Sequence, residues 1–133
     1  GYMKGIDKYK KQAFIKKVQQ DAPEEERVRE IDEFIEDNRL DAVVFATNYL
    51  AIDGLKAVKI YQRKLPAMVA FDDHTLFKLY EPSITVVSQP IAEIADELIT
   101  ALLGQIQGKN KKLKQVVLPC ELKVRESSLI SAN

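Results

Sequence analysis

Apolar positions along this chain alternate between two rhythms. Asp41-Ala42-Val43-Val44-Phe45-Ala46, Ala67-Met68-Val69-Ala70-Phe71 and Ile84-Thr85-Val86-Val87 are short, nearly continuous apolar runs. Runs of that length read as strands covered on both faces. Between them the apolar residues return every three or four positions, as one side of a helix requires. Leu55, Val58 and Tyr61 do so between about Tyr49 and Arg63. The clearest case is Ile91, Ile94, Ala95, Leu98, Ile99, Leu102, Leu103 and Ile106, a broad apolar face that Gly108 closes as a C-terminal glycine.

The ends of the chain follow the same logic. Tyr2, Ile6 and Tyr9 have helical spacing within Gly1 to about Lys11, and Ala13-Phe14-Ile15 with Val18 predicts a short strand. Pro23 and the acidic run Glu24, Glu25 and Glu26 open a helix, since both favour its first turn. Val28, Ile31, Phe34 and Ile35 form its inner stripe and Asn38 its stop. The stretch from Asp72 to Pro82 reads as irregular. Lys109-Asn110-Lys111-Lys112 reads as a polar loop, Gln115–Leu118 and Leu122–Val124 as two strands broken at Pro119, and the tail from Leu129 to Asn133 as loose. Strands alternating with helices predict an α/β fold, a parallel sheet with helices on both faces.

A length of 133 residues suits one domain with a real core. Twenty positive and twenty negative side chains balance, whereas a protein that grips DNA phosphates usually carries a basic excess. The chain is therefore not expected to hold DNA by itself. No run approaches a membrane span, and the first residues lack the apolar core of a signal peptide. The single cysteine, Cys120, excludes an internal disulfide and fits a reducing cytoplasm; it reads as a small buried hydrophobe. The lysines from Lys109 to Lys114 read as a solvated loop, with phosphate binding as the alternative.

Ligands of open parallel sheets sit beyond the carboxyl ends of the strands, where loops and helix N-termini gather. Those positions here are Thr47, Asn48 and Tyr49, then Asp72, Asp73 and His74, then Ser88, Gln89 and Pro90. Amides that both donate and accept, a carboxylate that accepts from hydroxyls, and the flat surfaces of Tyr49 and Phe71 suit a polyhydroxylated ligand such as a sugar. No serine–histidine–acid arrangement and no glycine-rich phosphate loop follows any strand, so catalytic residues, cofactors and metals are not expected. Plainer readings stand beside each residue. Asn48 also fits a helix N-cap. Asp72 and Asp73 also fit a turn and a cap, or a cation site. His74 fits a surface loop, and Gln89 before Pro90 a strand end.

The same positions carry a resemblance. Asp41 to Asn48 with Ala51 to Ala57, Val69 to Asp73, Pro82 to Pro90, and the ending Val117 to Ser128 together resemble the lactose-repressor (LacI) family of transcription regulators. Gly1-Tyr2 resembles the start of the helix that opens the second lobe in that family. The match runs in order across nearly the whole chain. It implies the C-terminal lobe of a periplasmic-binding-protein-like effector domain, residues 1–133, with a DNA-binding helix-turn-helix outside it. Carried over by motif, Asn48 and Asp72 bond ligand hydroxyls, Gln89 and Ile91 lie at the crossover between lobes near the ligand, and Phe71 and Asp73 flank the pocket. Tyr49 departs from the family's usual aspartate. The segment before Ala67 is shorter than usual, and the family's ligand-binding arginine precedes the Gly-Tyr pair.

The resemblance places the helix from Ile91 to Gln107 in the other lobe. Without that lobe, each large side chain on its apolar face forfeits roughly 1.5–3 kcal/mol of burial, so the helix is expected to repack on its own chain or on a second copy. The function expected is that of a cytoplasmic, dimeric sensor of a sugar or sugar derivative that controls DNA binding allosterically. The alternative is the sugar-binding protein of an ABC-type transporter. A small enzyme using Asp72 or Asp73 is the remaining class, and no second catalytic group accompanies it.

Overall fold

The computed structural model describes residues 1–108 and 115–129. The loop Lys109–Lys112, Lys114 and the tail from Ile130 to Asn133 lie outside the described residues. Four strands, β1 (Ala42–Phe45), β2 (Ala67–Phe71), β3 (Thr85–Ser88) and β4 (Glu121–Lys123), form one sheet in that order. β1 and β2 are parallel, from Ala42 opposite Ala67 to Phe45 opposite Ala70, and β3 continues parallel with Val69 opposite Thr85. β4 returns antiparallel along β3, with Val86 opposite Lys123 and Ser88 opposite Glu121. The helices are α1 (Tyr2–Lys8), α2 (Glu24–Asp37), α3 (Asn48–Ile60), α4 (Thr75–Leu79) and α5 (Ile91–Ile106), and a 3-10 turn occupies Glu126–Ser128.

The core is what the alternating rhythms assemble. Phe45, Met68, Ala70, Ile84 and Val86 from the sheet meet Ile31 and Ile35 of α2, Ala51 and Leu55 of α3, and Phe77 of α4. Gly54 lets α3 lie close to the strands: a Cβ there would stand 2.5 Å from Cζ of Phe45. Ionic contacts tie α2 to α3. Arg27 Nε donates to the buried Asp53 at 2.8 Å, and Arg63 forks onto both oxygens of the buried Asp32 at 3.1 Å. Asn38 caps α2 as expected, its Nδ2 donating to Phe34 O, and Arg39 follows in the left-handed region.

Several expectations change. α3 ends at Ile60 rather than Arg63, because Gln62 turns left-handed at φ 52°. Its inner side carries Ala51, Leu55 and Ala57, while Tyr61 is exposed. The run Asp41–Ala46 is not covered on both faces, for β1 is an edge strand and Val44 is 64% exposed. Ala13–Val18 forms no strand; Phe14 instead bonds through its backbone to the Tyr2 hydroxyl. Gln115–Leu118 stays outside the sheet, because Glu121–Lys123 already occupies the free edge of β3. The irregular stretch after Asp72 contains α4, which is too short for its periodicity to register. Cys120 is exposed, not a buried hydrophobe. α5 forms as read, with Gly108 at φ 67° beyond it, but none of its residues is buried. It does not fold back to cover its apolar face.

Candidate functional site

Because β1, β2 and β3 run parallel, their carboxyl ends open on one edge of the sheet and the segments after them are neighbours. After β1, Thr47 is extended and its Oγ1 accepts from Leu50 N at 3.4 Å. Thr47, not Asn48, is therefore the N-cap of α3, which removes the capping role weighed for Asn48. Asn48 is the first helical residue and half-buried; Tyr49 follows with 54% of its surface exposed.

After β2, Asp72 occupies the left-handed region at φ 70°. A non-glycine residue held there costs free energy that its surroundings must offset. Two contacts do so. Asp72 N donates to Val87 O at 2.9 Å, extending the β2–β3 ladder, and Gln89 Nε2 donates to Asp72 Oδ1. Two of the residues singled out in the sequence thus meet directly across neighbouring strand ends. Phe71 stands half-buried at the end of β2, and Ile91 is the exposed first residue of α5. His74 is more than a loop residue. Its Nδ1 accepts from Leu76 N at 3.2 Å and caps α4.

Asp73 faces a set of cations drawn mainly from the far end of the chain. Arg125 Nη2 reaches both its oxygens, at 3.0 and 2.9 Å, Lys123 Nζ lies at 3.4 Å and Lys78 Nζ at 3.8 Å. Burial alone pushes this carboxyl up. The hydrogen bond and charge of Arg125, with Lys78 and Lys123, outweigh it and hold Asp73 below the ordinary aspartate range. Lys123 also donates to Ser88 Oγ at 3.2 Å, which links the ends of β2 and β3 a second time.

Arg125 is itself fixed. Its N–H donates to Thr85 Oγ1 at 2.8 Å and its Nη1 to Ile84 O at 2.9 Å. Beside it, Ser127 Oγ donates to Met68 O at 2.6 Å and accepts from Thr85 N at 2.9 Å. Glu126 accepts from Ser83 N and Oγ, the backbone bond first, and both lower its carboxyl. The Arg125 and Lys123 contacts escaped the sequence reading. Their partner lies 52 and 50 residues away, and no local pattern announces it.

Among the described residues no group of three or more His, Cys, Asp and Glu side chains is gathered to hold a metal ion. No helix there is long and apolar enough to cross a membrane. An open groove of about 810 Å³ lies between Lys78–Ser83 and Glu126. It sits at the start of β3, at the opposite end of the strand from Gln89.

A family model described as a periplasmic binding protein-like domain matches residues 7–128. The chain belongs to this periplasmic-binding-protein-like family. The lactose-repressor resemblance agrees with the curated relatives of this domain. The HTH-type transcriptional regulator CelR of Thermobifida fusca is 32% identical over 91 residues, 66% of this chain and 27% of CelR. The chain thus spans about a quarter of the length of that relative. The solved complex of CelR with cellobiose superposes with a TM-score of 0.78 at 24% identity, over 95% of this chain and 40% of that one. A LacI family transcriptional regulator from Arthrobacter sp. FB24, in complex with lactose, also gives 0.78 at 19% identity, over 95% and 48%. These likenesses identify the fold of the domain, a mostly parallel four-stranded sheet with helices.

Proposed function

We propose that this chain is the effector-sensing C-terminal lobe of a LacI-type transcription regulator, and that its effector is a sugar or sugar derivative. The observation that carries the reading is the pairing of Asp72 with Gln89 across the ends of β2 and β3. Neither residue is consumed by capping or core packing. In this reading Asp72, Gln89 and Asn48 exchange hydrogen bonds with ligand hydroxyls. Tyr49 and Phe71 offer flat surface to the ligand's C–H faces, and Asp73 and Ile91 border the pocket. Solved complexes of similar fold with cellobiose and with lactose support a sugar.

Helix α5 carries the rest of the proposal. Its exposed apolar side, from 50% at Leu103 to 73% at Ile106, suits packing into a second lobe, so that the effector sits in the cleft between the two. Cleft closure then alters a dimer and, through it, the DNA affinity of a helix-turn-helix domain outside this chain. The protein works in the cytoplasm, and the lobe senses without turnover. The sugar-binding protein of a transporter shares the fold, but the regulator names of the relatives favour the sensor.

The test is calorimetric titration of the two-lobed protein with cellobiose, lactose and a panel of sugar phosphates, with Asp72→Ala in parallel. Binding that the substitution abolishes supports the reading. A folded protein that binds no member of the panel refutes a sugar effector, and binding that survives Asp72→Ala refutes this site.

A further inference from the structure

The turn that presents Asp72 is held in place by the other end of the chain. Asp72 sits in a backbone conformation that costs free energy, and its own contacts, to Val87 O and Gln89, reach only the neighbouring strand. The next residue, Asp73, is nearly buried, and both its oxygens bond Arg125 Nη2. Arg125 is fixed in turn by Thr85 and Ile84, and Lys123 joins Asp73 to Ser88, one residue before Gln89. A charge-assisted arginine–carboxylate contact that is largely desolvated is strong, and the hold of Ile84 O on Nη1 sets the direction from which Nη2 reaches Asp73. It therefore fixes the orientation of the Asp72–Asp73 peptide, not merely its proximity to the sheet.

We propose that Arg125 and Lys123 are positioning residues for the effector site: through Asp73 they hold Asp72 in its left-handed conformation, with its carboxylate turned to Gln89. This rests on the sensing reading above for its biological meaning, though not for its geometry. The site is then built from three parts of the chain. β2 supplies the ligand contact, β3 the neighbouring amide, and β4 with the residue after the next the clamp that keeps both in register. Asp73 borders the pocket and contributes by orienting Asp72, its own oxygens being engaged by Arg125.

The experiment is amide hydrogen exchange, residue by residue, on the 133-residue chain and on Arg125→Lys, Arg125→Gln and Asp73→Asn, with Lys78→Gln as a control at the outermost cation. The amide of Asp72 reports the turn, because it is bonded to Val87 O; the amides of Ala70 and Val86 report the core. Losing one charged hydrogen-bonded contact should speed exchange at Asp72 by roughly tenfold or more relative to Ala70 and Val86. Arg125→Lys, which keeps the charge and loses the planar group that spans Ile84 O and Asp73, should fall between the parent and Arg125→Gln, and Lys78→Gln should leave the ratio unchanged. A contact that merely stabilises the domain would speed all three amides together. That outcome, or an unchanged Asp72 amide, overturns the proposal. Should Arg125→Gln fail to fold, the Asp73→Asn ratio decides alone, because that change keeps the side-chain shape. The sugar titration stands apart: a failure to bind sugars counts against the sensing reading, whereas the exchange ratio tests the clamp.

Discussion

Gly54→Ala should destabilise the chain, although alanine is the better helix former. At Gly54 the gain in intrinsic helix propensity is about 1 kcal/mol. The added Cβ, however, would stand 2.5 Å from Cζ and 3.1 Å from Cε1 and Cε2 of Phe45. Ordinary carbon contacts begin near 3.5 Å, so strand and helix must part by about 1 Å. Phe45 has little room to swing, being buried among Leu55, Met68 and Ala70. Overpacking costs about 1–3 kcal/mol, and a contact as close as 2.5 Å places this case in the upper part of that range, about 2–3 kcal/mol, which leaves a net loss of about 1–2 kcal/mol after the propensity gain. Urea unfolding followed by circular dichroism should show it as a midpoint lower by roughly 0.5–1 M, taking a slope in the range usual for small domains. Phe45→Leu in the Gly54→Ala background should recover part of the loss, because it removes the atoms that collide. A Gly54→Ala chain as stable as the parent would refute the reasoning, as would strictly additive effects in the double variant.

Three further outcomes follow from contacts already described. Arg27→Gln should cost about 2–4 kcal/mol, because it leaves the buried Asp53 with Lys56 at 3.7 Å as its cation among the described residues; Asp53→Asn in the same chain should restore part of it in a thermal melt. Asp73 has its folded pKa depressed, so its contribution is fully present above the unfolded aspartate value near pH 4 and is lost as pH falls through the lower folded value; acid unfolding of Asp73→Asn should therefore depend less steeply on pH in that window. Sedimentation of the 133-residue chain should reveal self-association through α5 that Leu98→Glu with Leu102→Glu abolishes, and a parent chain that is monomeric at every concentration would contradict this.

The elements most legible in the sequence were those whose periodicity runs long. α2, α3 and α5 and strands β1 to β3 emerge from local pattern because each buries, or offers for burial, a repeating face. α4 escaped because five residues hold barely more than one helical turn. The strand read at Ala13–Val18 failed for the converse reason: an alternating or apolar run becomes a strand only when a partner edge is at hand. At the site, Asp72 and Gln89 could be chosen because the ends of parallel strands are predictable once the strands are. Their direct contact could not, since it depends on the register of β2 against β3. Nor could the engagement of Asp73, since Arg125 reaches it across most of the intervening fold. Asn48 shows the limit of residue-type reasoning, because the threonine before it makes the cap.

The span between Asp73 and Arg125 has a consequence for synthesis. A ribosome adds roughly 5–20 residues each second, so the 52-residue interval keeps Asp73 without its main counter-ion for several seconds after it is made. β1, β2, α2 and α3 precede that interval or end at its start, and β3 is completed early within it, so these elements are present in the nascent chain before Arg125 is made. The fold can thus take shape early while the turn at Asp72 stays loose, and the emergence of Arg125 sets it. A chain cut short before Arg125 would keep most of its core and lose the shape of the turn proposed to meet the effector.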